Sequence, residues 1–292
     1  MHGVRAQVIA ILIGAAASGS ASAQLPVLRA RALDATAAVK VFNPAGSIRL
    51  VGWDRDSIVV RGRVARGAHF FFGGSSQGVK LGIEDPINGG DSRPSDLVIY
   101  LPRRSQMSIK SASADIAGTD VSGWFYSVSG SIRLAGAATS IEAETMNGTI
   151  DLAVTVPWVR ARTGDGTLTL RGAAEDVDLS TIAGTLNVVS TSIRRGRVSS
   201  VTGDIRVLGS PPADALLELS NHEGAVDLRL PRSVSGLFDL STISGTIENG
   251  FTGARPAATS TTRSRMLRVR LGDGDAHVTV RTFKGPIRLN PR

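Results

Sequence analysis

The chain has 292 residues, no cysteine, and a formal net charge of +8 carried by 33 basic residues, of which 29 are arginine. The lack of cysteine excludes disulfide staples, thiolate zinc sites and lipid attachment at a cysteine. At this length, with 42% apolar residues, one large core can form without covalent help.

In chain order, the first residues predict an export signal. Arg5 supplies a positive n-region, Val8 to Ala17 a short apolar h-region, and Ala21-Ser22-Ala23 a small-x-small cleavage site, so the mature chain is expected to begin at Gln24. The apolar run is shorter than the ~20 residues a spanning helix needs, so it reads as a cleaved signal and not as an anchor. Residues 24–35 read as an N-terminal linker. Residues 36–290 read as a single β-repeat domain: an irregular cap layer over 36–110, regular repeats over 111–250 and closing strands over 265–290.

The regular part carries the main signal, self-similarity at a near-fixed period. Segments such as SVSGSIRLAG, TMNGTIDLAV and TIAGTLNVVS place glycines at Gly130, Gly148, Gly166, Gly184, Gly203, Gly224 and Gly245. Two and four residues after the first six of these glycines sit apolar pairs such as Ile132/Leu134, Leu168/Leu170 and Leu186/Val188. Arg133, Asp151, Thr169, Asn187, Arg206 and Asp227 alternate with them as outward residues. Seven and five residues before the glycine sits a second pair, as in Ile141/Ala143 and Phe238/Leu240. This period-two alternation predicts two short strands per unit, joined at a glycine expected to supply backbone freedom for a bend. Three residues before the glycine stand Ser127, Thr145, Thr163, Thr181, Ser200, Asn221 and Thr242, which predict a hydrogen-bonding ladder along one corner. The same frame fits around Gly46, Ala114 and Gly285. The fold class is therefore all-β, a β-solenoid or β-helix-like stack of ~18–21-residue two-strand repeats. After Arg265 the alternation predicts a hairpin with its tip at Gly272 to Asp275.

The repeats SVSGSIRLAG, TIAGTLNVVS and TISGTIENG, with the opening KVFNPAGSIRLVGWDRDSIVV and the closing VRTFKGPIRLNPR, resemble a bacterial β-strand-repeat family labelled "putative adhesin". That domain-of-unknown-function family is similar to the head domains of autotransporter adhesins. The resemblance implies an exported β-solenoid-like protein with an envelope or surface role. It implies no catalytic residues.

The chemistry-bearing residues form no catalytic or metal-binding pattern. His69, His222 and His277 fall in different units, and the GDGD at Gly272 occurs once, without the repeats that calcium turns need. No metal or other cofactor is expected, and no nucleic acid, because the arginines are dispersed and the chain reads as exported. The strongest enzyme pattern is Asp227 and Glu248, equivalent outward positions expected on successive rungs at ~5 Å, the spacing of a retaining glycosidase pair. Three consecutive phenylalanines, Phe70, Phe71 and Phe72, cannot all face inward on a strand; they are read as a cap plug or a sticky contact patch. With Arg133 and Arg206 they are the candidate partner contacts. The favoured function is an exported, non-enzymatic envelope or adhesin-like module binding through its flat faces or loops, with envelope glycans or a surface protein as partner. The alternative is a polysaccharide lyase or hydrolase on the same scaffold.

Overall fold

Apolar residues alternating on both sides of each corner glycine give two short strands per repeat, and each strand pairs in parallel with its equivalent in the neighbouring repeat. The computed structural model describes residues 24–85, 92–190, 192–251, 255–257 and 265–292, and every described element is a strand. The expected export signal lies outside the described residues. Each unit is a rung with a leading strand before its corner residue and a trailing strand after it. The leading strands form one wall of a folded sheet and the trailing strands the other. Buried residues of both walls merge into one continuous core.

The Ala114 rung comprises Gln106–Ser111 and Asp115–Thr119, the Gly130 rung Ser122–Ser127 and Ile132–Ala137. Two long strands, Ile150–Thr163 and Leu168–Thr181, each run from the trailing wall of one rung into the leading wall of the next. The Gly203 rung (Arg195–Ser200, Ile205–Leu208) and the Gly224 rung (Leu216–Asn221, Val226–Leu230) continue the stack. Register follows the repeat frame without slip: Ile132, Ile150, Leu168, Leu186, Ile205 and Val226 are successive partners, and all are fully buried.

At both ends the order in space departs from the order in sequence. The Gly46 rung (Ala38–Phe42, Gly46–Trp53) lies between the Ala114 rung and a further rung of Gly78–Glu84 and Ser95–Pro102. The expected cap layer thus contributes two regular rungs of its own. At the other end the Gly285 rung (His277–Thr282, Ile287–Pro291) inserts between the Gly224 and Gly245 rungs. The expected hairpin around Gly272 does not form. Arg265–Leu271 pairs antiparallel with Gly236–Thr242, which separates it from His277–Thr282. Nor are residues 24–35 a linker: Leu25–Ala32 is a strand antiparallel to Ser57–Val64, itself antiparallel to Ser95–Pro102. Its mostly exposed side chains show no inward alternation, so backbone pairing alone makes it a strand.

The corner glycines have a different cause from the one expected. From Gly130 to Gly245 none has positive φ. They are required by contact: a Cβ at Gly148, Gly166 or Gly184 would lie well under 3.0 Å from the carbonyl of the preceding corner glycine. Rungs stacked at ~4.8 Å leave no room there for a methyl group. The hydrogen-bonding ladder fixes this approach. Thr163 accepts from the Gly166 N–H at 3.2 Å and donates to the Gly148 carbonyl at 3.0 Å. Ser127 and Thr145 repeat the arrangement, and Asn221 performs it with both ends of its amide.

Candidate functional site

With the core sealed between the walls, chemistry is left to the outer sides of the two walls and to the corner. On the leading wall, outward positions in register form a charge lattice. Arg160 lies between Glu142 (3.5 Å) and Asp178 (3.3 Å). Glu218 lies between Arg197 (3.6 Å) and Arg281 (3.3 Å), and Asp176 faces Arg195 at 3.3 Å. Parallel pairing at ~4.8 Å places opposite charges side by side, and every acid in this lattice has a basic neighbour. Half-buried aromatics stand among them. Trp124 and Tyr126 stack at 5.7 Å with Lys110 over Trp124, and Arg160 lies over Trp158. An open groove of about 540 Å³ follows Trp158 along this wall, past Leu216 to His277. Leu216 is 57% exposed in it.

Beside this groove, Asp239 is bonded by Arg268 and His277, the latter at 2.7 Å. The hydrogen bond from Arg268, then that from His277, holds its carboxyl below the usual range. Glu223 is lowered likewise by Lys284. Both shifts come from ion pairs. Among the described residues no group of three His, Asp or Glu side chains is placed to hold a metal ion, and no helix is long and apolar enough to cross a membrane.

The outer side of the trailing wall carries the arginines singled out in the sequence. Arg133 is exposed and has no ion pair among the described residues, whereas Arg206 is bonded to Asp204 at 3.1 Å. Thr169, expected to be outward and solvated, is only 8% exposed; the Arg171–Asp151 ion pair runs diagonally past it. The Asp227–Glu248 pair does not have the ~5 Å spacing expected of a retaining pair. Arg288 lies between them in register and is bonded to Glu248 at 3.4 Å, which puts the acids two strand spacings apart, ~9.6 Å. The phenylalanines occupy the edge strand His69–Gly74: Phe70 and Phe72 pack against the core, while Phe71 covers Gly82 on the opposite side beneath Lys80.

One regularity escaped the sequence reading. Directly after the corner Ser/Thr stand Val128, Met146, Ile182, Val201, Ile243 and Phe283, each 39–58% exposed. They form an apolar column along the corner, interrupted at Gly164, and His222 continues it by stacking on Phe283 at 4.8 Å. The repeat alignment contained this column, but attention to the glycine and the hydroxyl passed over it.

The model of the Toastrack DUF4097 family matches residues 54–290. No curated protein matches the chain. Among solved structures, a "putative lipid binding protein" from Parabacteroides distasonis ATCC 8503 is similar with a TM-score of 0.52 at 9% identity, over 90% of this chain and 96% of that one. A "putative adhesin" from Bacteroides fragilis NCTC 9343 gives 0.48 at 11% identity, over 91% and 98%. A "putative cell adhesion protein" from Clostridium sporogenes ATCC 15579 gives 0.24 at 10% identity, over 92% and 100%. At such identities the likeness carries the fold alone.

Proposed function

The chain belongs to the Toastrack DUF4097 family, and on that scaffold we propose a non-enzymatic binding module of the cell envelope that holds an extended, uncharged glycan along the outer side of its leading wall. The observation that carries this reading is the Trp158 groove within a neutralised charge lattice. A small ion would have to break existing pairs to bind there. A polyhydroxyl polymer offers donors and acceptors to both signs and lays its apolar C–H faces on aromatic rings. The groove is open along the stack, which suits a polymer. Export belongs to the same reading: removal of residues 1–23 after Ala23 would deliver the β-repeat domain, with its N-terminal strand Leu25–Ala32, outside the cytoplasm. The enzyme alternative loses its carboxylate pair to Arg288.

Titration with neutral oligosaccharides of envelope type, followed by tryptophan fluorescence, tests the reading. Trp158→Ala is expected to weaken binding about tenfold, the worth of one aromatic contact. Unchanged affinity in that variant would remove the groove from the proposal. Release of new reducing ends on incubation with the glycan would overturn the non-enzymatic reading.

A further inference from the structure

The trailing wall carries a surface of another kind. Its outward positions in register run Arg61, Val98, Arg49, Ala117, Arg133 and Asp151 along the stack. A guanidinium therefore stands on every second strand, at intervals of ~9.6 Å, with a small apolar residue between. Arg49 and Arg133 are exposed and, among the described residues, have neither a hydrogen bond nor an ion pair. Arg61 rests over the Tyr100 ring at 5.9 Å, which leaves its N–H groups free. The nearby acids are otherwise engaged: Asp96 accepts from Ser47 at 2.6 Å, Asp115 from the Ser131 N–H at 2.8 Å, and Asp151 is paired with Arg171. Between Arg49 and Arg133 opens a shallow basin of about 430 Å³, bordered by Ala117, Thr119, Ala135, Ala153 and the Arg171-paired Asp151. The leading wall pairs its arginines with acids on the next strand; here Arg49 lies between Val98 and Ala117, and the one acid in register with the row, Asp151 beside Arg133, is paired with Arg171.

We propose that this row binds a linear acidic polysaccharide lengthwise, with the sulfate or carboxylate of every second sugar meeting one guanidinium. Two strand spacings approach the length of a disaccharide, so one straight chain reaches successive arginines without bending. A guanidinium receives such an anion through two parallel N–H donors, and the short side chains between leave room for the intervening sugar. This surface is separate from the Trp158 groove and does not depend on it.

Calorimetric titration of the chain with a heparin-derived octasaccharide, the corresponding disaccharide and neutral dextran tests the proposal. The octasaccharide is expected to bind with an affinity that falls with added salt. The disaccharide, which reaches one arginine, is expected to bind at least tenfold more weakly, and dextran not at this surface. Arg49→Gln and Arg133→Gln should each cost about tenfold in octasaccharide affinity, one charge-assisted contact. Arg194→Gln, which removes an exposed arginine already paired with Asp214, should cost less than twofold. Equal losses in all three variants would reduce the effect to net charge and overturn the proposal. So would a disaccharide that binds as tightly as the octasaccharide, or no octasaccharide binding at all. Unchanged thermal midpoints of the variants keep a folding defect from imitating the result.

Discussion

Replacing Gly166 by alanine tests why the corner residue is glycine. The new Cβ would lie 2.5 Å from the carbonyl carbon of Gly148, closer still to its oxygen, and 2.9 Å from Thr163 Oγ1. An unstrained carbon–oxygen approach is about 3.3 Å. The obstacle is backbone on an adjacent rung, so no rotamer change relieves it. The rungs must part, at an overpacking cost of ~1–3 kcal/mol. Parting them also weakens the two Thr163 hydrogen bonds that close this corner, at ~1 kcal/mol each. Alanine returns about 0.5–1 kcal/mol by restricting the unfolded chain. The net expectation is a loss of ~2–4 kcal/mol, read as a lower urea midpoint at unchanged slope. Gly73→Ala is the control: nothing lies within 4 Å of its added Cβ, and its stability should stay within ~0.5 kcal/mol of the parent. If Gly166→Ala also stayed within that band, close approach between rungs would not be what demands glycine.

Leu186 is fully buried between Leu168 and Ile205, so Leu186→Ala should cost ~2–5 kcal/mol in the same assay, while Asn187→Ala on the outer side should cost no more than ~0.5 kcal/mol. Hydrogen exchange on Leu186→Ala should show protection lost at the Gly184 rung before the Gly46 rung, because each rung leans on its neighbours; equal losses would indicate a single cooperative core. Asp239, lowered chiefly by the Arg268 hydrogen bond and further by His277, contributes stability that is present above the unfolded carboxylate value of about 4 and is lost as pH falls through its folded value. Acid titration of stability should therefore fall more steeply below about pH 4 in the parent than in Asp239→Asn; parallel curves would refute the assignment.

Much of the fold was legible because a stacked rung is a local object. The alternation at Ile132/Leu134 and Leu186/Val188 gives inward and outward sides, and the Thr163 column gives the corner, from residues a few positions apart. The register across ten rungs then follows from superposing the frames. What the frame lacks is spatial order. The Gly245 and Gly285 units have the same grammar, so nothing in either says which one docks on the Gly224 rung. Leu25–Ala32 has no inward alternation because it lies antiparallel at an edge and buries little. The candidate surfaces were legible only in part. Arg133 was visible as an outward residue, but its lack of a partner depends on what flanks it on the adjacent strands, Ala117 on one side and the Arg171-paired Asp151 on the other, a relation between rungs that one frame does not contain. Trp158 was overlooked because it follows Pro157 inside one long strand, where the chain passes from one wall to the other.

The interleaved C-terminal end yields a test that separates spatial order from sequence order. The chain contains no cysteine, so an introduced pair has no competitors. Asp227→Cys with Arg288→Cys puts the thiols on adjacent parallel strands in direct register, with Cα atoms ~4.8 Å apart, inside the range a disulfide accepts. Asp227→Cys with Glu248→Cys puts them two strands apart, ~9.6 Å, beyond the roughly 7 Å at which bridging fails without backbone movement. Simple stacking in sequence order makes the opposite forecast, because Asp227 and Glu248 would then be the neighbours. Under mild oxidation the first variant should cross-link within the monomer and run as a faster-migrating band that reduction removes, and the second should remain free thiol. A cross-link between 227 and 248 would mean that the Gly245 rung docks directly on the Gly224 rung. The final rung would then sit outside the stack. At that end the leading strand of the last parallel rung is itself paired with the antiparallel strand Arg265–Leu271.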